Sequence, residues 1–161
     1  MLASLSGEPA QRRSAVHSTF CALRSLLGRF PASVLALAFR IGVATVFWKS
    51  GLTKIASWDA TVALFEMEYA LPLLPPTFAA YLATAIELGG AWMLVFGFGT
   101  RFAAAAFLAM TLVIQVFVFP ENWPDHLLWG SILAYLLTRG GGALSIDHLI
   151  GRWLGKPEPL A

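Results

Sequence analysis

The sequence predicts an all-α fold: an integral membrane four-helix bundle with short amphipathic interfacial helices. Three observations lead there. Of 161 residues, 58% are hydrophobic and only 12% charged, about half the charge fraction of a soluble domain. Apolar runs of membrane-spanning length recur, the clearest being residues 78–98, FAAYLATAIELGGAWMLVFGF. As a helix this run reaches roughly 30 Å, the thickness of a bilayer's hydrocarbon core. Short apolar stripes at helical spacing then flank the long runs.

Composition also excludes whole classes. The single cysteine, Cys21, rules out an intramolecular disulfide, a CxxC relay and a zinc site built on thiolates. The arginines are scattered and no recognition motif is present, so nucleic acid is not an expected partner. The organisation divides into a cytoplasmic tail with an amphipathic segment (1–30), a four-span membrane domain (31–139) and a C-terminal interfacial tail (140–161).

Residues 1–15 are polar and small. In 16–30, Val16, Phe20, Leu23, Leu27 and Phe30 form one apolar stripe with Arg24 and Arg29 off it, the pattern of a helix lying on an anionic membrane surface. A cleaved signal peptide is the rival reading. Arg24 interrupts the apolar core that such a signal needs, and no small-residue cleavage site follows. Pro31 suits a first helical turn, since its missing N–H would be unpaired there anyway. The first span is expected from about Ala32 to Ser50. Between 52 and 77, Trp58, Val62, Phe65 and Tyr69 make a second short stripe, read as a lid along the membrane surface, and Pro72, Pro75 and Pro76 end it. The turn at 97–101 forces a third span, about 101–119, to return beside the second. Ala103 to Ala106 give it a flat face for close packing, and Gln115 is its one strongly polar interior residue. Pro124 opens a fourth run, about 124–138, short for a full span. Gly140–Gly142 stops it, and Ser145 can cap a final amphipathic helix.

The basic residues set orientation. Arg12, Arg13, Arg24, Arg29, Arg101, Arg139, Arg152 and Lys156 collect on one side, which is therefore cytoplasmic and carries both termini. The chain is therefore expected to be a multi-pass membrane protein, and the resemblance given below implies a bacterial inner (cytoplasmic) membrane.

Two charges fall inside the spans, Arg40 in the first and Glu87 in the second. Counted from the expected inner ends, they lie roughly 12 and 16 Å deep. An intramembrane charge costs several kcal/mol unless it finds a partner, so an Arg40–Glu87 ion pair is expected, either as a structural pin or as part of a functional path. At the outer mouth, Lys49, Lys54, Glu66, Tyr69, His126 and Trp129 form a candidate ligand site. His126 lies in the first turn of the fourth helix, and a neutral imidazole there can donate to a quinone carbonyl or accept a proton. The competing reading of His126 is a surface or capping role. Glu66, Glu68, Asp125 and His126 have metal-binding chemistry but no diagnostic spacing, and no metal is expected.

These segments resemble the DoxX family of small four-span bacterial membrane proteins. The matching stretches are Arg40–Ile41–Gly42, FWKSGLTK at 47–54, MEYALPLLPP at 67–76, AAYLATAIELGG at 79–90, GFGTRFAAAAF at 97–107, VIQVFVFPENWPDHLLWG at 113–130 and RGGGALSIDHLI at 139–150. They follow in order across roughly 35–150. The resemblance implies a membrane part of a redox system, with one branch similar to the membrane subunit of thiosulfate:quinone oxidoreductase. It implies Arg40, Lys49, Lys54, Glu66, Glu87 and His126 as functional positions, redox proteins as partners and a quinone as ligand. No flavin, haem or iron–sulfur motif is visible, so electrons would come from a partner. The function expected is an accessory subunit that holds a quinone near the outer leaflet. The alternatives are a small-solute carrier gated by Arg40 and Glu87, and a scaffold recruiting soluble enzymes.

Overall fold

The computed structural model describes residues 17, 20–25, 28, 30–72 and 74–155. The chain divides into two compact units, Met1–Pro31 and Ala32–Ala161. In the first, residues 17, 20–25 and 28 are helical and exposed, Phe20 and Leu23 among them. Val16 and Leu27, two members of the expected stripe, lie outside the described residues.

The second unit is a four-helix bundle. Its first helix, α1 (Ala32–Ala56), runs past the expected end at Ser50 and takes in Gly51 and Lys54. Its inward stripe is Ala36, Arg40, Val43, Ala44, Phe47 and Gly51, the spacing of one helical face. The lid is α2 (Trp58–Leu64), continued by one π-helical turn, Phe65–Tyr69. Trp58, Val62, Phe65 and Tyr69 pack with Ala79 and Ala80 at the start of α3, so the stripe read from the sequence does face the bundle.

The helix α3 (Pro76–Phe96) begins with proline in its first turn. It ends in a Schellman arrangement. Gly97 is left-handed at φ 66°, its N–H donates to the Leu94 carbonyl, and the Phe98 N–H donates to the Met93 carbonyl. The helix α4 (Thr100–Val113) follows after Gly99, at φ 57°, and continues as a π turn, Ile114–Val118. A 3₁₀ turn, Pro120–Asn122, leads into α5 (Trp123–Arg139), and α6 (Ile146–Trp153) closes the described chain. Three of these stretches are long and apolar enough to cross a membrane: Ala32–Ala56, Pro76–Phe96 and Thr100–Val118.

The core is made of the inward faces of the four long helices: Val43, Phe47, Leu94, Ala104, Phe107 and Leu133 among others. Phe47 stacks on Phe107 with ring centroids 4.1 Å apart. The outward residues are themselves apolar, with Leu82, Phe102 and Leu112 exposed, as a lipid-facing bundle requires.

Glycines set the register of α1 against α3. Gly51 lies against Leu88 and Glu87, close enough that a Cβ would meet the Leu88 side chain at 2.7 Å. At the other end Gly97 lies against the Arg40 guanidinium. Arg40 precedes Gly51 by eleven residues, so it sits roughly 16 Å along the axis from the level of Glu87.

Candidate functional site

That register separates the two intramembrane charges. Both are buried, Arg40 completely and Glu87 to 3% exposure, but they do not meet. The Arg40–Glu87 ion pair expected from the sequence is corrected: the depths assumed level inner ends, but Arg40, eight residues into α1, lies beside Gly97 at the very end of α3, and it is Gly51 that lies beside Glu87.

Glu87 pairs instead with Lys54. The Lys54 ammonium lies 2.8 Å from Glu87 Oε1 and also donates to Ser50 Oγ at 3.0 Å. Ser50 in turn donates to Glu87 Oε1 at 3.1 Å. Lys54 and Ser50 are four residues apart on α1, which puts them on one face. Glu87 Oε2 is buried and has no hydrogen-bond partner among the described residues.

Arg40 belongs to the opposite end of the bundle. Its Nη2 donates to the Leu144 carbonyl at 2.5 Å, and Asp147 is the carboxylate whose charge acts on it. The same carboxylate accepts from the Gly99 N–H at 2.7 Å and the Thr100 N–H at 2.8 Å, capping α4 from another element. Ser145 caps its own helix by accepting from the His148 N–H at 3.2 Å, as its position predicts. The basic end is thus a structural latch.

At the lid end a cavity of about 480 Å³ opens among α1, α3, α4, α5 and the lid. Lys54, Tyr69, Glu87, His126 and Trp129 line it. Four of the six residues proposed for a ligand site therefore come together, with Glu87 added. Lys49 and Glu66 do not: both are exposed and neither lines the cavity. Each occupies a helical position that turns its side chain away from the stripe facing the bundle.

Both π turns contribute to the walls, through Phe65 and Tyr69 from one and Ile114 and Val118 from the other. Such turns recur at functional sites because they re-aim side chains within a helix. Tyr69 packs edge-on against Phe65 and Phe119, at 4.9 and 5.8 Å. Burial, then the charges of Glu68 and Glu87, push its phenol above the usual tyrosine range, so it stays protonated.

His126 is held by Gln115. Gln115 Nε2 donates to the Pro120 carbonyl at 2.8 Å, which turns its Oε1 toward His126 Nδ1 at 2.7 Å. That assignment follows from the hydrogen-bond network. A neutral His126 must then donate from Nδ1 and keep Nε2 as an acceptor. Trp129 lies against both His126 and Phe47, at 5.4 and 5.9 Å.

Sequence reasoning missed Ser50, the partnership of Gln115 with His126, and Asp147. Ser50 was detectable as the residue four before Lys54. Gln115 stood out as a polar residue in a span, but its partner eleven residues on depends on the turn between them. Nothing local marks Asp147.

Comparison with known proteins places these features in a family. The DoxX family profile matches residues 35–120. An uncharacterised protein of Haemophilus influenzae is 30% identical, covering 74% of this chain and 85% of its own. Inner membrane protein YphA of Escherichia coli K12 is 31% identical, covering 71% and 89%. A Bacillus subtilis 168 protein named "Putative oxidoreductase CatD" is 28% identical, covering 71% and 85%. No solved structure matches the chain.

Proposed function

The chain belongs to the DoxX family, and from that premise we propose that it is an inner-membrane accessory subunit of a redox assembly, holding a quinone ring in the cavity at the lid end. One observation carries this reading. The cavity joins a buried polar end to walls that include lipid-facing residues. Leu82, Ala109 and Val113 line it and are exposed on the bundle's outer surface, so a membrane-dissolved molecule reaches the charged end without crossing water. The gap has a physical origin. Gly90 lets α3 close onto Phe107 of α4, where a Cβ would meet the ring at 2.8 Å. Beside that contact and beyond it toward the lid, Ala106 and Ala109 line the cavity between the same helices.

The residues fit a quinone-type ring. The volume lies within the roughly 300–1,000 Å³ of small-molecule sites. Apolar and aromatic walls suit the ring, and the few polar groups at one end suit its oxygens. When bound, such a ring supplies two-electron chemistry; electrons come from a partner protein, since the chain shows no redox motif of its own. The chain's residues bind and orient. Phe47 and Trp129 offer ring faces, Lys54 and Glu87 fix the polar end, and the lid excludes water. The name of the Bacillus relative is in keeping with a redox role.

The same proposal includes four spans with both termini cytoplasmic. Gly141, just after α5, lies against Thr100 at the start of α4, while His126 at its other end meets Gln115 near the end of α4. So α5 covers the height of α4, a candidate span. Arg101, Arg139 and Arg152 gather at the latch end, which makes that end cytoplasmic.

The test is extraction. The protein purified from its native membranes and extracted with organic solvent is expected to yield a quinone in stoichiometric amount. Absence of quinone, together with unchanged quinone reduction in a deletion strain, overturns the reading.

A further inference from the structure

We infer that the latch end carries a site for an anionic phospholipid headgroup, formed where α6 leaves the bundle; this stands whatever fills the cavity at the lid end. The first pointer is α6 itself. The helix has eight residues and buries none of them. So short a helix is not stable alone in water and needs its apolar face covered. The bundle does not cover it. Leu149, Ile150, Trp153 and Leu154 share one face of the helix, and all are exposed, Trp153 to 86%. What ties α6 down is polar instead. The Asp147 carboxylate accepts from the Gly99 and Thr100 N–H groups, and the Asp147 N–H donates to the Gly97 carbonyl at 2.9 Å. A helix held to a membrane bundle by a polar edge, with its apolar face outward, lies in the boundary between headgroups and acyl chains.

Charge at the same place selects the lipid. Arg101 follows Thr100, whose N–H the Asp147 carboxylate accepts. Arg139 ends α5, two residues before Gly141, which lies against both Thr100 and Ser145. Arg152 lies in the last turn of α6. These three arginines are exposed, and each stands within a few residues of the contacts that seat α6. With the buried Arg40 they make four guanidinium groups against one carboxylate, Asp147, among the described residues of this end. Guanidinium groups match phosphate oxygens in geometry as well as charge, and basic side chains at the membrane surface favour anionic lipid. The same segment also supplies the Leu144 carbonyl to Arg40 and the Asp147 carboxylate to the start of α4. A lipid that holds α6 in place holds those bonds, so its occupancy is read as stability of the bundle.

The experiment is thermal unfolding of the full chain in a neutral detergent, with added phosphatidylglycerol, phosphatidylcholine of the same acyl chains, or inorganic phosphate. Phosphatidylglycerol is expected to raise the unfolding temperature above the phosphatidylcholine value by roughly 2–4 °C or more. Inorganic phosphate, which has no acyl chain to lie against α6, is expected to leave it unchanged. About 1 M salt should remove the difference between the two lipids. Arg139→Gln with Arg152→Gln alters only exposed side chains and is expected to abolish that difference while keeping the phosphatidylcholine value. Lys49→Gln, an exposed charge of the lid end, is expected to retain it. Equal stabilisation by both lipids, equal stabilisation by phosphate, a difference that survives the arginine changes, or one that Lys49→Gln also removes overturns the inference. If the arginine variant does not fold, the lipid and phosphate comparison on the unchanged chain decides alone.

Discussion

Glu87 has one oxygen engaged twice and one not at all, and the pair it forms with Lys54 decides what its removal does. Glu87→Leu leaves a mostly buried ammonium, 12% exposed, without its carboxylate and with only Ser50 as partner, a loss expected below the roughly 3–5 kcal/mol of fully buried broken pairs. Lys54→Met with Glu87→Leu is expected to be milder than Glu87→Leu alone, because no charge is stranded. Thermal unfolding in detergent checks this. Arg40→Met combined with Glu87→Leu should instead be additive, since groups separated by more than about 10 Å without shared partners rarely couple. Tyr69 gives a pH prediction. Its phenol is raised by burial and by the neighbouring carboxylates, so the folded form holds its proton more tightly than the unfolded chain. The stability this contributes is fully present below about pH 10, the ordinary tyrosine value, and is lost as pH rises through the folded value. In an alkaline absorbance titration the last tyrosinate to appear should vanish in Tyr69→Phe. At this scale the sequence showed that Arg40 and Glu87 would be buried, because apolar runs enclose them. It could not show whom they pair with, because pairing depends on the offset between two helices.

Between helices, that offset is written in glycines. Gly51 and Gly42 lie on the same helix, and only one is a contact. A methyl group at Gly51 meets Leu88 and the Cβ of Glu87, whereas one at Gly42 meets nothing within 4 Å. Gly51→Ala is expected to push α1 from α3 and lower the unfolding temperature, with overpacking costs of about 1–3 kcal/mol. Gly42→Ala should be neutral or slightly stabilising, by up to about 1 kcal/mol from helix propensity. The helices themselves were legible from apolar length and from the prolines and glycines that end them. The extension of α1 through Ala56 was not, because Lys49, Ser50 and Lys54 look like the polar edge of a membrane run. In the fold Ser50 and Lys54 point inward and build the polar end of the cavity. The π turns were equally hidden: Phe65–Tyr69 and Ile114–Val118 carry no composition that separates them from α-helix, and they arise where the lid and the end of α4 meet.

For the molecule as a whole, the two ends of the bundle do different work, and the topology test follows from that difference. The latch end is tied across elements by Arg40 to Leu144, Asp147 to the start of α4, and the Ala143 N–H to Ser33 Oγ at 3.1 Å, although Arg40 Nε and Nη1, Thr100 Oγ1 and His148 Nδ1 have no hydrogen-bond partner among the described residues. The lid end keeps an open cavity and an unsatisfied carboxylate oxygen. Arg101, Arg139 and Arg152 lie at the latch end, and the proposed orientation puts that end in the cytoplasm. A fluorescent protein that folds only in the cytoplasm, fused after Ala161, should therefore glow. Alkaline phosphatase at the same point, active only when exported, should stay silent. The opposite result would mean that α5 does not cross, because three crossings move the C-terminus to the other face when the N-terminus stays cytoplasmic. The short α5 makes this the informative junction. At 17 residues it reaches roughly 25 Å, less than the hydrocarbon core, and the preceding 3₁₀ turn adds the remaining rise. Its ends lie level with the two ends of α4, so a crossing α4 carries α5 across with it, and the reporters decide between the two arrangements.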